Sequence, residues 1–171
     1  MARRMWRSAA AVWARPLSTR GSARRIPSDV EVLDLSASDR FMCTNLMCEH
    51  VGERCACKAA VWFENADLPS LRALSLAGND LRAAPPSVFL PTLVELDLSR
   101  NLLEALPAAV ANATALEVLD VSDNEIEALP GALFGLTRLR EVFVGNNAGP
   151  LAAPPGWGAV GDRLVKRGSP Y

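Results

Sequence analysis

The chain reads as an α/β repeat solenoid, with a short parallel sheet on the concave side and an irregular or 3-10 outer arc. Three observations predict this. One phrase occurs four times between Leu71 and Asn147, and its copies start 22, 23 and 23 residues apart. Each copy has apolar residues at its first, fourth and sixth positions and Asn at its ninth. The copies are Leu71-x-x-Leu74-x-Leu76-x-x-Asn79, Leu93-x-x-Leu96-x-Leu98-x-x-Asn101, Leu116-x-x-Leu119-x-Val121-x-x-Asn124 and Leu139-x-x-Val142-x-Val144-x-x-Asn147. A period of this length implies one supersecondary unit per copy. No single unit buries its own apolar face, so the copies stack.

Residues 1–28 form a basic arm. It holds seven arginines (Arg3, Arg4, Arg7, Arg15, Arg20, Arg24 and Arg25), and the first acid of the chain is Asp29. At helical spacing Met5, Trp6, Ala9, Val12, Trp13 and Leu17 share one side, with Arg3, Arg4, Arg7 and Arg15 on the other. An amphipathic, Arg-rich, acid-free start with frequent serines resembles a mitochondrial presequence. Arg15-Pro16-Leu17-Ser18 resembles a matrix-peptidase cleavage context. Two other uses stay open: lying on an anionic membrane surface, or binding RNA. Arginines flank a very short apolar run, which does not fit a secretory signal. No window near twenty residues is free of charge or proline, so no transmembrane span is expected.

Residues 29–70 read as a degenerate first repeat with a Cys-rich N-terminal cap. Val30-x-x-Leu33-x-Leu35 fits the strand part of the phrase, and Leu33-Asp34-Leu35-Ser36 repeats Leu96-Asp97-Leu98-Ser99. This copy starts 41 residues before Leu71, so it carries an insertion. The insertion holds Cys43, Cys48, Cys55 and Cys57, with His50 among them. Three readings stay open. The thiolates, alone or with the imidazole, would bind zinc; they would form two disulfides; or they would be reduced thiols in a cap. The spacing contains no CxxC pair.

Residues 71–148 hold the four clear copies. Positions one, four and six face the stack, and positions three and five alternate outward as a short strand requires. The Asn at position nine has a donor and an acceptor, so it is expected to satisfy turn backbone in its own copy and the next. Pro85 and Pro86, Leu106-Pro107 and Leu129-Pro130 favour an irregular arc and would interrupt a long helix. With these residues in view, the chain resembles the leucine-rich repeat family, in its short intracellular type with a "Leu-Pro" step. The resemblance covers about half the chain. It implies a non-catalytic fold that holds another protein. Residues 149–171, rich in Gly and Pro, would then be a C-terminal cap, folding back with a short helix near 158–166.

The outward concave positions are the candidate partner-binding surface: Glu95, Asp97, Val118, Asp120, Glu141 and Phe143. Carboxylates there would select a basic partner, and Phe143 is the expected apolar anchor. The competing reading is a solvated acidic sheet.

Charge and composition exclude several functions. The formal charge is −1; losing residues 1–28 removes seven arginines and no acid, leaving −8. Such a body does not suit direct nucleic-acid binding by the repeats, which needs a basic footprint. One His, no glycine-rich phosphate loop and no nucleophile elbow argue against an enzyme. The leading expectation is a non-catalytic accessory subunit of a large mitochondrial assembly, in the matrix or associated with the inner membrane. Its partners would be the other protein subunits, and the arm would touch a membrane surface. A respiratory-chain complex is favoured over the mitoribosome. The alternatives are a free-standing adaptor and a zinc- or redox-linked protein using the Cys cluster.

Overall fold

The structure, a computed structural model, describes residues 28–37, 56–64, 67–149, 151 and 164–165. Each repeat phrase supplies three residues of strand. The strands are β1 (Val32–Asp34), β2 (Ala73–Ser75), β3 (Glu95–Asp97), β4 (Val118–Asp120) and β5 (Glu141–Phe143), followed by the two-residue β6 (Leu164–Val165). They form one sheet in chain order, every pair parallel. The register aligns the fourth position of each copy: Leu33 with Leu74, then Leu96, Leu119, Val142 and Leu164. The degenerate early copy therefore contributes the first strand. Parallel neighbours need a long crossover, and the repeat length supplies it.

The core consists of rows of equivalent residues. Leu71, Leu93, Leu116 and Leu139 form one row and Leu76, Leu98, Val121 and Val144 another. Leu81, Leu103 and Ile126 close the far side. Burying a Leu or Ile side chain is worth about 1.5–3 kcal/mol, so each copy gains most of its stability from its neighbours.

The outer arc consists of 3-10 turns, each entered through a proline in extended backbone: Pro85, Pro107 and Pro130. Their φ of −61°, −69° and −69° is the value the ring imposes. Val88, Val110 and Leu133 point inward from these turns. Turn length follows copy length. The 22-residue first copy has a three-residue turn, Pro86–Val88, and the two 23-residue copies have five-residue turns, Ala108–Asn112 and Gly131–Gly135.

Helix α1 (Ala56–Glu64) lies in the insertion between β1 and β2. It packs against the Pro86–Val88 turn, and Ala59 and Phe63 join the core. The insertion thus occupies the outer arc beside the first clear copy. At the other end most of the expected helix near 158–166 lies outside the described residues, but Leu164 and Val165 are strand rather than helix, paired with Val142 and Phe143. Among the described residues no helix is long and apolar enough to cross a membrane.

Candidate functional site

Two sets of polar side chains organise the sheet. The first is the Asn ladder. Asn101 Nδ2 donates to Leu76 O (3.0 Å), Leu98 O (2.9 Å) and Ser99 O (3.1 Å). Its Oδ1 accepts from Asn79 N and Leu81 N, both at 3.0 Å. Asn79, Asn124 and Asn147 repeat the pattern against Leu35, Leu98 and Val121 of the copy before each. Every amide therefore bridges its own copy to the preceding one, which corrects the expected direction. The physical reason lies in the turn: position nine comes after the strand, where the open carbonyls of the previous copy sit within reach.

The second set is the acid at position five. Asp97 Oδ1 accepts from Ser99 N at 2.9 Å, and Asp97 Oδ2 accepts from Ser75 Oγ at 3.1 Å. Asp120 Oδ1 accepts from Ser122 N at 2.9 Å and from Ser122 Oγ at 2.6 Å. Asp34 Oδ1 accepts from Ser36 N at 2.9 Å. Each carboxylate folds back onto the N–H two residues on, the Asx geometry that short acids favour in turns. The turn continues through position eight, which is left-handed in all five copies: Ala37, Gly78, Arg100, Asp123 and Asn146 have φ between 45° and 63°. Sequence reasoning missed both features. The signal was present as Asp-Leu-Ser at 34–36 and 97–99 and Asp-Val-Ser at 120–122.

The predicted partner surface is placed on one face, in register: Glu95 beside Val118, then Glu141; Asp97 beside Asp120, then Phe143. Its exposure is not as expected. Glu95 is 4 % exposed, Asp97 6 %, Val118 8 % and Asp120 0 %. These four positions are closed to solvent within the single chain, so the expected open acidic face is corrected there. One oxygen of each aspartate accepts from the N–H two residues on, and Asp97 also accepts from Ser75 Oγ of the preceding copy. Only Glu141 remains exposed, and Phe143 is half-buried. Among the described residues the large hydrophobics left exposed are Val61 at 57 % and Phe134 at 39 %. Val61 is on α1, and Phe134 is on the Gly131–Gly135 turn of the outer arc.

Of the candidate metal or disulfide residues, Cys57 is exposed on α1. Cys43, Cys48, His50 and Cys55 lie outside the described residues, as does the arm with Arg3, Arg4, Trp6, Arg7, Trp13 and Arg15.

Comparison with known proteins agrees with this geometry. Residues 91–148 match the family model described as leucine rich repeat. Among solved structures the chain is similar to a leucine-rich repeat protein of Leptospira interrogans, at 28 % identity and a TM-score of 0.50. That match covers 61 % of this chain and 26 % of the other, so this chain spans about a quarter of that protein's length. No curated protein matches the chain. The array is thus a solenoid of in-register parallel strands tied by an Asn ladder. Residues 91–148 are similar to leucine-rich repeats, a fold that suggests protein–protein interaction.

Proposed function

We propose that this chain is a non-catalytic, protein-binding subunit of a large mitochondrial assembly, with a respiratory-chain complex ahead of the mitoribosome. The observation that carries the binding role is how the array uses its polar residues. The position-nine amides and the position-five carboxylates bond to the array's own turns. That makes a stiff stack, and a stiff stack holds a partner by shape. The mitochondrial part rests on the acid-free, seven-arginine arm, and the preference for a respiratory complex rests on the −8 body that remains without it. With the acidic face closed, the outer arc carrying Val61 and Phe134 is the contact surface we favour.

Native size fractionation of gently solubilised mitochondria tests the proposal. Migration with a megadalton species is the expected result, and the co-migrating proteins would name the assembly. Migration as a free single chain would sink the subunit reading. A second test uses the outer arc. Asn112-Ala113-Thr114 is an N-glycosylation acceptor phrase with Asn112 and Thr114 exposed. In a mitochondrial protein it stays unmodified. A mass shift removed by an endoglycosidase would overturn the mitochondrial assignment.

A further inference from the structure

Strand β1 is the first of the sheet, and one side of its backbone meets no other strand among the described residues. The next copy shows what that side can do. Arg72 N and Ala73 N donate to Glu31 O, at 2.8 and 3.0 Å, while Ser75 O and Ala77 O accept from Leu35 N and Ala37 N, at 2.9 and 2.8 Å. The register sets Val32 beside Ala73 and Asp34 beside Ser75. The same four groups in the first copy are Glu31 N, Val32 N, Asp34 O and Ser36 O. We infer that this edge docks a basic, extended segment of another polypeptide, added as a parallel strand along residues 31–36.

The direction follows from the order of the groups. An occupant running parallel offers one carbonyl and then two N–H groups, as Glu31, Leu35 and Ala37 do for the copy after them. The core points the same way. Val30, Leu33 and Leu35 are 8 %, 9 % and 4 % exposed, where Leu71, Leu74 and Leu76 are each 0 %. The three apolar rows still touch solvent at this end, and an added strand would cover them.

Charge selects the occupant. Asp29, Glu31 and Asp34 are exposed on this edge, and Arg72, adjacent to Glu31 across the sheet, offsets one of the three. Residues 29–36 hold neither lysine nor proline, which commonly guard an open strand. Acids repel another acidic edge, that of a second copy of this chain included, and attract a segment bearing lysine or arginine. Backbone bonds then give the affinity and side chains the choice, as in other strand additions. The chain's own arm is basic as well, but its sequence reads as a helix from Met5 to Leu17. The residues just before Ser28 cannot run parallel to β1, because a parallel neighbour needs a crossover of about a dozen residues. An edge of this kind serves a built-in subunit and a free adaptor alike.

The test uses the full chain and a fluorescein-labelled Lys-Val-Lys-Val-Lys-Val-Lys peptide, read by fluorescence anisotropy. Saturable binding that weakens with added salt is the expected result. Glu31→Lys with Asp34→Lys should weaken it by about tenfold or more. Glu104→Lys with Glu127→Lys, an equal change of charge at exposed positions away from β1, should leave most of it. Val32→Pro removes one donor and no charge, and should weaken binding by about tenfold. A fully N-methylated form of the peptide keeps its charge, loses its N–H groups and should bind at least that much more weakly. No binding by the wild type overturns the inference. So does equal binding of the methylated peptide, or equal loss from the two double variants. If Val32→Pro does not fold, the methylated peptide on the wild type reads the backbone contribution alone.

Discussion

Leu33-Asp34-Leu35-Ser36 and Leu96-Asp97-Leu98-Ser99 are the same four letters in two places, and the molecule treats them differently. Locally they are alike. Each Asp accepts from the N–H of its Ser at 2.9 Å, and Leu33 and Leu96 are each the middle residue of a three-residue strand. In context they diverge: Asp34 is exposed at the first strand, whereas Asp97 is buried in the middle of the sheet and takes a second bond from Ser75. The phrase therefore encodes a strand and a turn, and position in the stack decides what that turn costs to lose. The end copy has one neighbour in the sheet; the middle copy has two.

Substitutions can break or sharpen this contrast. The largest effect is expected from the core row. Leu96→Ala should lower unfolding stability in urea by about 3–4 kcal/mol, because a fully buried Leu leaves a cavity between two copies. Leu33→Ala at the end copy should cost about half as much, since the site can collapse toward solvent. Equal losses would show that the end is packed as tightly as the middle. Next comes the ladder. Asn101→Ala takes the side-chain acceptor from two buried N–H groups, while the three carbonyls it also bonds each keep another donor, for about 2–3 kcal/mol. Asn147 is half-buried, so water can replace part of its set, and Asn147→Ala should cost about 1 kcal/mol by the same measure.

The acid turn gives a smaller difference. Asp97→Ala should cost about 1–2 kcal/mol, for the buried Ser99 N–H it orphans. Asp34→Ala should stay within about 0.5 kcal/mol, because water reaches that N–H. Thermal melts of the pair would separate the two, and similar shifts would refute the context argument. A last effect is conformational. Gly78 has φ +63° with nothing within 4 Å of an added Cβ. Gly78→Ala should therefore cost about 1 kcal/mol, through backbone strain alone. Gly135→Ala, in equally open space without positive φ, should leave the melting temperature unchanged.

The repeat phrase made most of the fold legible. Leu at positions one, four and six has one physical use at this period, and the Asn at nine has one place where both ends of its amide find backbone. The early strand was readable too, because Leu33-Asp34-Leu35-Ser36 kept the phrase. Strand β6 was not, because no copy of the repeat phrase surrounds Leu164 and Val165 in the sequence. The candidate surface was legible in placement and misleading in exposure. Alternation correctly put Glu95, Asp97, Val118 and Asp120 on one face. Alternation assigns a residue to a face but carries no signal for how exposed that face is. The Asx turns were missed because the acids were read for their charge rather than for their short reach.

The unequal 3-10 turns point to where this chain tolerates length. Twenty-two- and twenty-three-residue copies keep the same strand register, and the difference between them is taken up on the arc. The 41-residue spacing between Val30 and Leu71 is the same accommodation on a larger scale, with α1 placed on the arc while Leu33 still aligns with Leu74. Insertions and deletions thus have a permitted margin and a forbidden one. A tag, loop or epitope grafted after Pro107 or Pro130 would lengthen the rim and leave the sheet's count intact. One extra residue between positions four and nine would put every later amide out of step.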